Sequence, residues 1–158
     1  AQSGGQIIAK EDLYERVWGR ALAGDSTALY TAVSRLNTKL TESGAQVTIR
    51  FLRGKGYTII ERDWHSGHRD IDIIARTPDS RTVVFVEVKT RTQDIIMRPE
   101  DAVTEKKIRN IGLAANNYVK MFDVVDELRF DLVTIVGENP KVAKVEHIAD
   151  AFNPLLFF

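Results

Sequence analysis

Polar and apolar positions along this chain switch between a helical period and a period of two, and each switch marks a new element. From Lys10 onward, Leu13, Val17 and Trp18 recur at helical spacing and stop near Gly19. After Ala23-Gly24-Asp25, either Asp25 or Ser26 can cap a second helix, with Leu29, Val33, Leu36 and Leu40 as its apolar stripe. The period then shortens. Val47, Ile49 and Phe51 alternate with Thr48 and Arg50, Gly54-Lys55-Gly56 makes a short turn, and Tyr57-Thr58-Ile59-Ile60 is again strand-like, so a hairpin is expected here. In Asp70-Ile71-Asp72-Ile73-Ile74-Ala75 the period of two places Asp70 with Asp72 and leaves Ile71 and Ile73 for a core. Thr77-Pro78-Asp79-Ser80-Arg81 is turn chemistry, and it leads into Thr82 to Arg91, so these two strands are expected to pair antiparallel. A helix starting at Pro99-Glu100-Asp101 would bury Val103, Ile108, Ile111, Leu113, Ala114 and Tyr118 and expose Lys106, Lys107 and Arg109. Phe130 to Val136 and Val142 to Ile148 read as two more strands.

The strand Thr82 to Arg91 is where the pattern turns into chemistry. Val84, Val86 and Val88 share one apolar face, while Phe85, Glu87 and Lys89 share the other. An acid and a base two residues apart on a buried strand cost several kcal/mol if left unpaired. Antiparallel pairing can bring Asp72 beside them, giving hard oxygen ligands and one ammonium group, a set suited to Mg²⁺ or Mn²⁺. The same trio could instead be an ion-pair network that fastens the two strands. His65 and His68 lie three apart with Gly67 between them, a spacing that does not identify a metal site, and Trp64 reads as a core or rim aromatic.

Composition narrows the setting more than the function. The chain has 158 residues, with 22 basic and 22 acidic side chains, so any attraction to polyanions must be local. It has no cysteine, which excludes disulfides and thiolate chemistry. No apolar run approaches the roughly 20 residues that span a bilayer, and the expected setting is cytoplasmic, away from membranes. Ala1-Gln2-Ser3-Gly4-Gly5 reads as a cloning remnant and is set aside. The end, Asn153 to Phe158, is apolar enough to pack back on the domain or on a partner, and a homo-oligomer through it or through the first segment stays open.

Glu11 to Gly19, Ala32 to Leu40 and Leu52-Arg53-Gly54-Lys55-Gly56-Tyr57 together resemble the second half of a winged helix of the OmpR/PhoB response-regulator type. The resemblance covers about the first 60 residues and lacks the family's leading strands and first helix. It implies DNA binding through Ser34, Arg35 and Lys39 on the second helix and through Lys55 on the wing.

A second resemblance begins at the same glycine-rich turn. Gly56 to Trp64, Asp70 to Ala75, Phe85 to Arg91, Ala102 to Lys107 and Arg129-Phe130-Asp131 occur in the order of the YraN-like family of uncharacterised bacterial proteins, within the PD-(D/E)xK nuclease superfamily. The implied fold is α/β (α+β): a restriction-endonuclease-like mixed sheet flanked by helices, here preceded by a small helical, winged-helix-like segment. The implied domains are 1–9, remnant or disordered; 10–53, winged-helix-like with the first wing strand; and 54–158, nuclease-like. The resemblance implies Asp72, Glu87 and Lys89 as catalytic residues, Asp72, Glu87 and the Val88 carbonyl as ligands of Mg²⁺ or Mn²⁺, Asp70 as a supplementary acid and Lys107 as a phosphate contact. Two departures stand out. The family usually has Gly-Glu-Ile-Asp where this chain has Arg69-Asp70-Ile71-Asp72. Its first helix carries Gly-Glu, whereas this chain has Gly44-Ala45 followed by Val47, Thr48 and Ile49, which are poor helix formers. A recombined chain is therefore expected, with a winged-helix segment in place of the nuclease's first helix. Metal-dependent hydrolysis of DNA or branched nucleic acid, and non-catalytic nucleic-acid binding by a degenerate site, both stay open.

Overall fold

The computed structural model describes residues 44–91, 103–137 and 144–158, all within one compact unit, Ser43–Phe158. Its elements in chain order are α1 (44–54), β1 (Thr58–Ser66), β2 (Arg69–Arg76), β3 (Thr82–Arg91), α2 (Glu105–Met121), β4 (Glu127–Val136), β5 (Lys144–Ile148) and a short 3₁₀ turn at Pro154–Phe157. The expected helices over 10–40 lie outside the described residues, as do Pro99-Glu100-Asp101.

The strand expected over Val47 to Phe51 is instead the helix α1, which corrects two expectations: there is no wing hairpin, and a first helix is present on the nuclease-like sheet. Gly44, Thr48, Ile49 and Leu52 are buried, a helical stripe, while Val47 and Phe51 sit half-buried at its edges and mimic alternation. Thr48 Oγ1 donates to the Gly44 carbonyl at 2.8 Å, so its buried hydroxyl costs nothing in lost hydrogen bonding. A side chain at Gly44 would meet Thr90 Oγ1 at 2.6 Å, so glycine is what allows the start of α1 to approach the far end of β3. The helix ends at Gly56 with φ of +90°, and the Tyr57 N–H returns to the Leu52 carbonyl at 3.0 Å.

The five strands form one sheet in the order β1-β2-β3-β4-β5. All neighbours are antiparallel except β3 and β4, which run parallel and are joined through α2. The turn chemistry at 77–81 forms the β2–β3 connection as expected: the Thr77 N–H reaches the Thr82 carbonyl at 3.0 Å, and Asp79 accepts from the Thr77 hydroxyl and the Arg81 N–H. Thr104 caps α2 by accepting from the Lys107 N–H. Both sheet faces are covered. Ile49 and Leu52 of α1 pack on Ile73, Ala75, Val84, Val86, Val133 and Ile135. On the other face Ile111, Ala114, Ala115 and Tyr118 of α2 pack on Ile71, Ile74, Val83 and Phe85, and Trp64 meets Tyr118 edge to face. Ile71 and Ile73 thus belong to separate cores, contrary to the strict alternation read from sequence. The break falls where the β2–β3 ladder stops, since their paired positions run only from Ile73–Val86 to Arg76–Val83. The result is an α+β domain with a helix-flanked mixed sheet, in the restriction-endonuclease-like arrangement.

Candidate active site

Strand divergence makes the site. Beyond the Ile73–Val86 pair, Asp72 stands opposite Glu87, and the Val88 N–H donates to Asp72 Oδ2 at 2.8 Å instead of to the β2 backbone. A side chain has replaced a rung of the ladder, which spreads the strands and holds the Asp72 carboxylate against β3. The alternation that puts Phe85 into the α2-side core carries Glu87 to that same face.

Glu87 is only 4% exposed, and its Oε2 has no hydrogen-bond partner among the described residues. Two ammonium groups approach without bonding it: Lys89 Nζ stands 3.8 Å from Oε1, and Lys107 Nζ 3.8 Å from Oε2. Lys107 bonds Asp70 Oδ1 at 3.1 Å instead. The solvated face expected for Lys107 is therefore not what forms; its head lies half-buried among the acids because the first turn of α2 faces the site. The structure thus gathers Asp70, Asp72, Glu87, Lys89 and Lys107 around the carboxylates.

Burial raises Glu87 to a pKa of about 8, with the neighbouring Asp72 charge adding to the rise and the two lysines opposing it. Burial also raises Asp72, against the Val88 N–H and the Lys107 charge, and the two carboxyl groups lie close enough to share a proton. Burial alone would lower Lys107, but Glu87 and Asp70 outweigh it and hold the ammonium form.

A stability profile follows. Glu87 holds its proton in the folded state up to about pH 8, whereas an ordinary glutamate releases it near 4.5. Between those values the unfolded chain binds fewer protons, so stability falls as pH rises. Thermal melts without metal should drop from pH 5 to 8, and Glu87→Gln should flatten that slope. A wild-type profile that stays level while the variant's falls would contradict the assignment.

These residues fit a divalent cation. A buried carboxyl oxygen without a hydrogen-bond partner, beside a second carboxyl group, offers a set of hard oxygen donors. Among the described residues no group of three acidic, histidine or cysteine side chains could hold a metal ion. Two carboxylates completed by water and phosphate oxygens match the habit of Mg²⁺.

Other expected residues lie elsewhere. Lys55 lies in the turn after α1 on the opposite side of the sheet, 4.8 Å over the Phe51 ring and 3.3 Å from His147 Nδ1, so it does not form a wing. Ser34, Arg35 and Lys39 fall outside the described residues. His65 is exposed and meets Asp63 at 3.2 Å. A polar network on the α1 side escaped the sequence reading. Asp131, fully buried, accepts from Arg129 Nε and Nη2, the Asp150 N–H and His147 Nε2, and Arg129 also reaches the Tyr57 hydroxyl. Burial would raise Asp131, but the His147 and Arg129 bonds prevail and lower it. The available signal was an aspartate inside an otherwise apolar strand.

Comparison with known proteins now decides the family. Residues 44–135 match the model of the uncharacterised protein family UPF0102. UPF0102 proteins of Bacteroides fragilis and Bacteroides thetaiotaomicron are each 37% identical to the chain, over 118 and 121 residues, covering 75% and 77% of it and 95% and 98% of their own lengths. One from Phocaeicola vulgatus is 40% identical over 113 residues, 72% of this chain and 91% of its own. The chain belongs to the UPF0102 family. UPF0102 is a YraN-like family of nuclease-like proteins. The match begins at Gly44, so α1 lies within the family's span, and the departure there reduces to a single side chain, Ala45 where the resemblance expects an acid. Residues 1–59 also match the C-terminal domain of transcriptional regulatory proteins, sharing 44–59 with the UPF0102 match. Among the described residues no helix is long and apolar enough to cross a membrane.

Proposed function

We propose that this UPF0102 protein is a metal-dependent nuclease acting on DNA or branched nucleic acid. The observation that carries the reading is the buried Glu87 Oε2, unpartnered beside Asp72 and faced by two lysines. Asp72, Glu87 and the Val88 carbonyl would hold Mg²⁺ or Mn²⁺. A bound divalent cation lowers the pKa of its water and offsets the charge that grows on the phosphate oxygens. Lys89, on the same strand face and 38% exposed, would orient that water through its ammonium N–H donors and offset charge on the phosphate. Asp70 stays at the rim as a supplementary acid, and Lys107 meets the phosphate.

Non-catalytic binding is the second reading. Ala45 favours it, since one fewer acid weakens a metal site, and so does the likeness of residues 1–59 to a transcriptional regulatory domain, which would take DNA through Ser34, Arg35 and Lys39. Incubation of linear, nicked and branched DNA with Mg²⁺ or Mn²⁺ separates the two. Metal-dependent cutting supports the nuclease; absence of cutting together with absence of Mn²⁺ binding by calorimetry leaves a binding module. Ala45→Glu supplies the acid that the family resemblance expects on α1. Calorimetry should find it binding Mn²⁺ about tenfold more tightly, as affinity follows the charge of the ligand set. Unchanged affinity would mean that position 45 does not serve the site.

A further inference from the structure

We propose that the Lys107 ammonium occupies the cation's place among the carboxylates and yields it when nucleic-acid phosphate draws it away, so that metal and nucleic acid bind cooperatively. The inference rests on the metal-site reading above.

Lys107 is a poor counterion for the site it fills. It bonds Asp70 at 3.1 Å but stops 3.8 Å short of Glu87, leaving Oε2 buried and unsatisfied. An ammonium group that bonds the rim acid Asp70 and misses Glu87 can give way to a cation held by Asp72 and Glu87. The charges agree. When ionised, Asp70, Asp72 and Glu87 face two ammonium groups while Lys107 is present; without it they face one, and the uncompensated charge of two matches a divalent ion. A resident ammonium also repels an incoming metal at short range.

The side chain is built to move at one end only. Its backbone N–H is held by Thr104 Oγ1 at 3.2 Å in the first turn of α2, which fixes the stem, while the head lies beside Asp70, a group 38% exposed at the rim. Phosphate arriving there offers Lys107 a partner, and the swing vacates Glu87. By linkage, whatever nucleic acid adds to metal affinity, metal adds to nucleic-acid affinity.

Calorimetric titration of Mn²⁺ into the full chain tests this, using wild type, Lys107→Met and Lys107→Arg, each with and without a short cleavage-resistant phosphorothioate duplex. Without duplex, Lys107→Met should bind Mn²⁺ about tenfold more tightly than wild type, while Lys107→Arg stays near wild type. The duplex should tighten Mn²⁺ binding several-fold in wild type and leave Lys107→Met unchanged. Equal Mn²⁺ affinities for wild type and Lys107→Met overturn the role of Lys107 and leave the metal site standing. Duplex coupling that survives in Lys107→Met overturns the swing. No Mn²⁺ binding by any of the three overturns both this inference and the nuclease reading. Should Lys107→Met fail to fold, a wild type whose Mn²⁺ affinity ignores the duplex still refutes the coupling.

Discussion

On the nuclease reading, Lys89→Ala is expected to slow metal-dependent cleavage by about 10²–10³-fold, the usual cost of removing one positioned donor, while leaving fold and metal binding in place. The separation of effects comes from position. Lys89 sits two residues beyond Glu87 on the same face of β3, approaches it at 3.8 Å without bonding it, and keeps 38% of its side chain open to solvent. Its loss therefore leaves both acids where β2 and β3 hold them, with Asp72 still accepting from the Val88 N–H. What disappears is the ammonium group proposed to orient the attacking water. Cleavage rates on a nicked duplex in Mn²⁺, alongside Mn²⁺ calorimetry, would show both halves. A variant that cuts at the wild-type rate would remove Lys89 from the mechanism; one that no longer binds Mn²⁺ would make it a structural support of the acids.

Asp131→Ala is expected to cost about 3–5 kcal/mol of stability, the penalty for breaking a buried charged network from one side. The truncation leaves Arg129 Nε, His147 Nε2 and the Asp150 N–H without their acceptor, and Arg129 Nη2 with the Tyr57 hydroxyl alone, in a place where Asp131 itself has no exposure. Those bonds tie β4 to β5 and to the turn after it, while the aromatic contacts of His147 with Phe51 and Tyr57 bring in α1 and the chain that follows. In a domain of this size the midpoint of thermal unfolding should fall by roughly 10–20 °C. The lowered Asp131 pKa gives a second signature. A carboxylate held below its ordinary value contributes stability above that value and loses it as pH falls through the folded one, so wild type should lose this contribution in acid and the variant should have none to lose. Because the network faces α1 and the candidate site faces α2, cleavage below the lowered transition should be unchanged. A variant that melts with wild type would mean that the network is redundant.

The two effects separate the faces of one sheet. Glu87 is raised and Asp131 lowered, although both are buried acids on neighbouring parallel strands. The difference is the company each keeps. Asp131 has its donors within hydrogen-bond distance, whereas Glu87 has ammonium groups just out of reach and another carboxyl beside it.

The β2–β3 hairpin and the grouping of Asp72, Glu87 and Lys89 were legible from residues alone. They depend on short-range rules: the turn chemistry of Thr77 to Arg81, a period of two along each strand, and a register that the turn sets. The helical start of α1 was not legible, because Val47, Thr48 and Ile49 are poor helix formers and Val47, Ile49 and Phe51 alternate as a strand would. The apolar seat offered by Ile73, Val84, Val86 and Val133, and the close approach allowed at Gly44, override that local preference. Nor did local pattern place Lys107 among the acids, assign Ile71 and Ile73 to opposite cores, or join Asp131 to His147. Each of those depends on which surfaces meet across long stretches of chain, where a periodic pattern states that a residue is buried but not beside what.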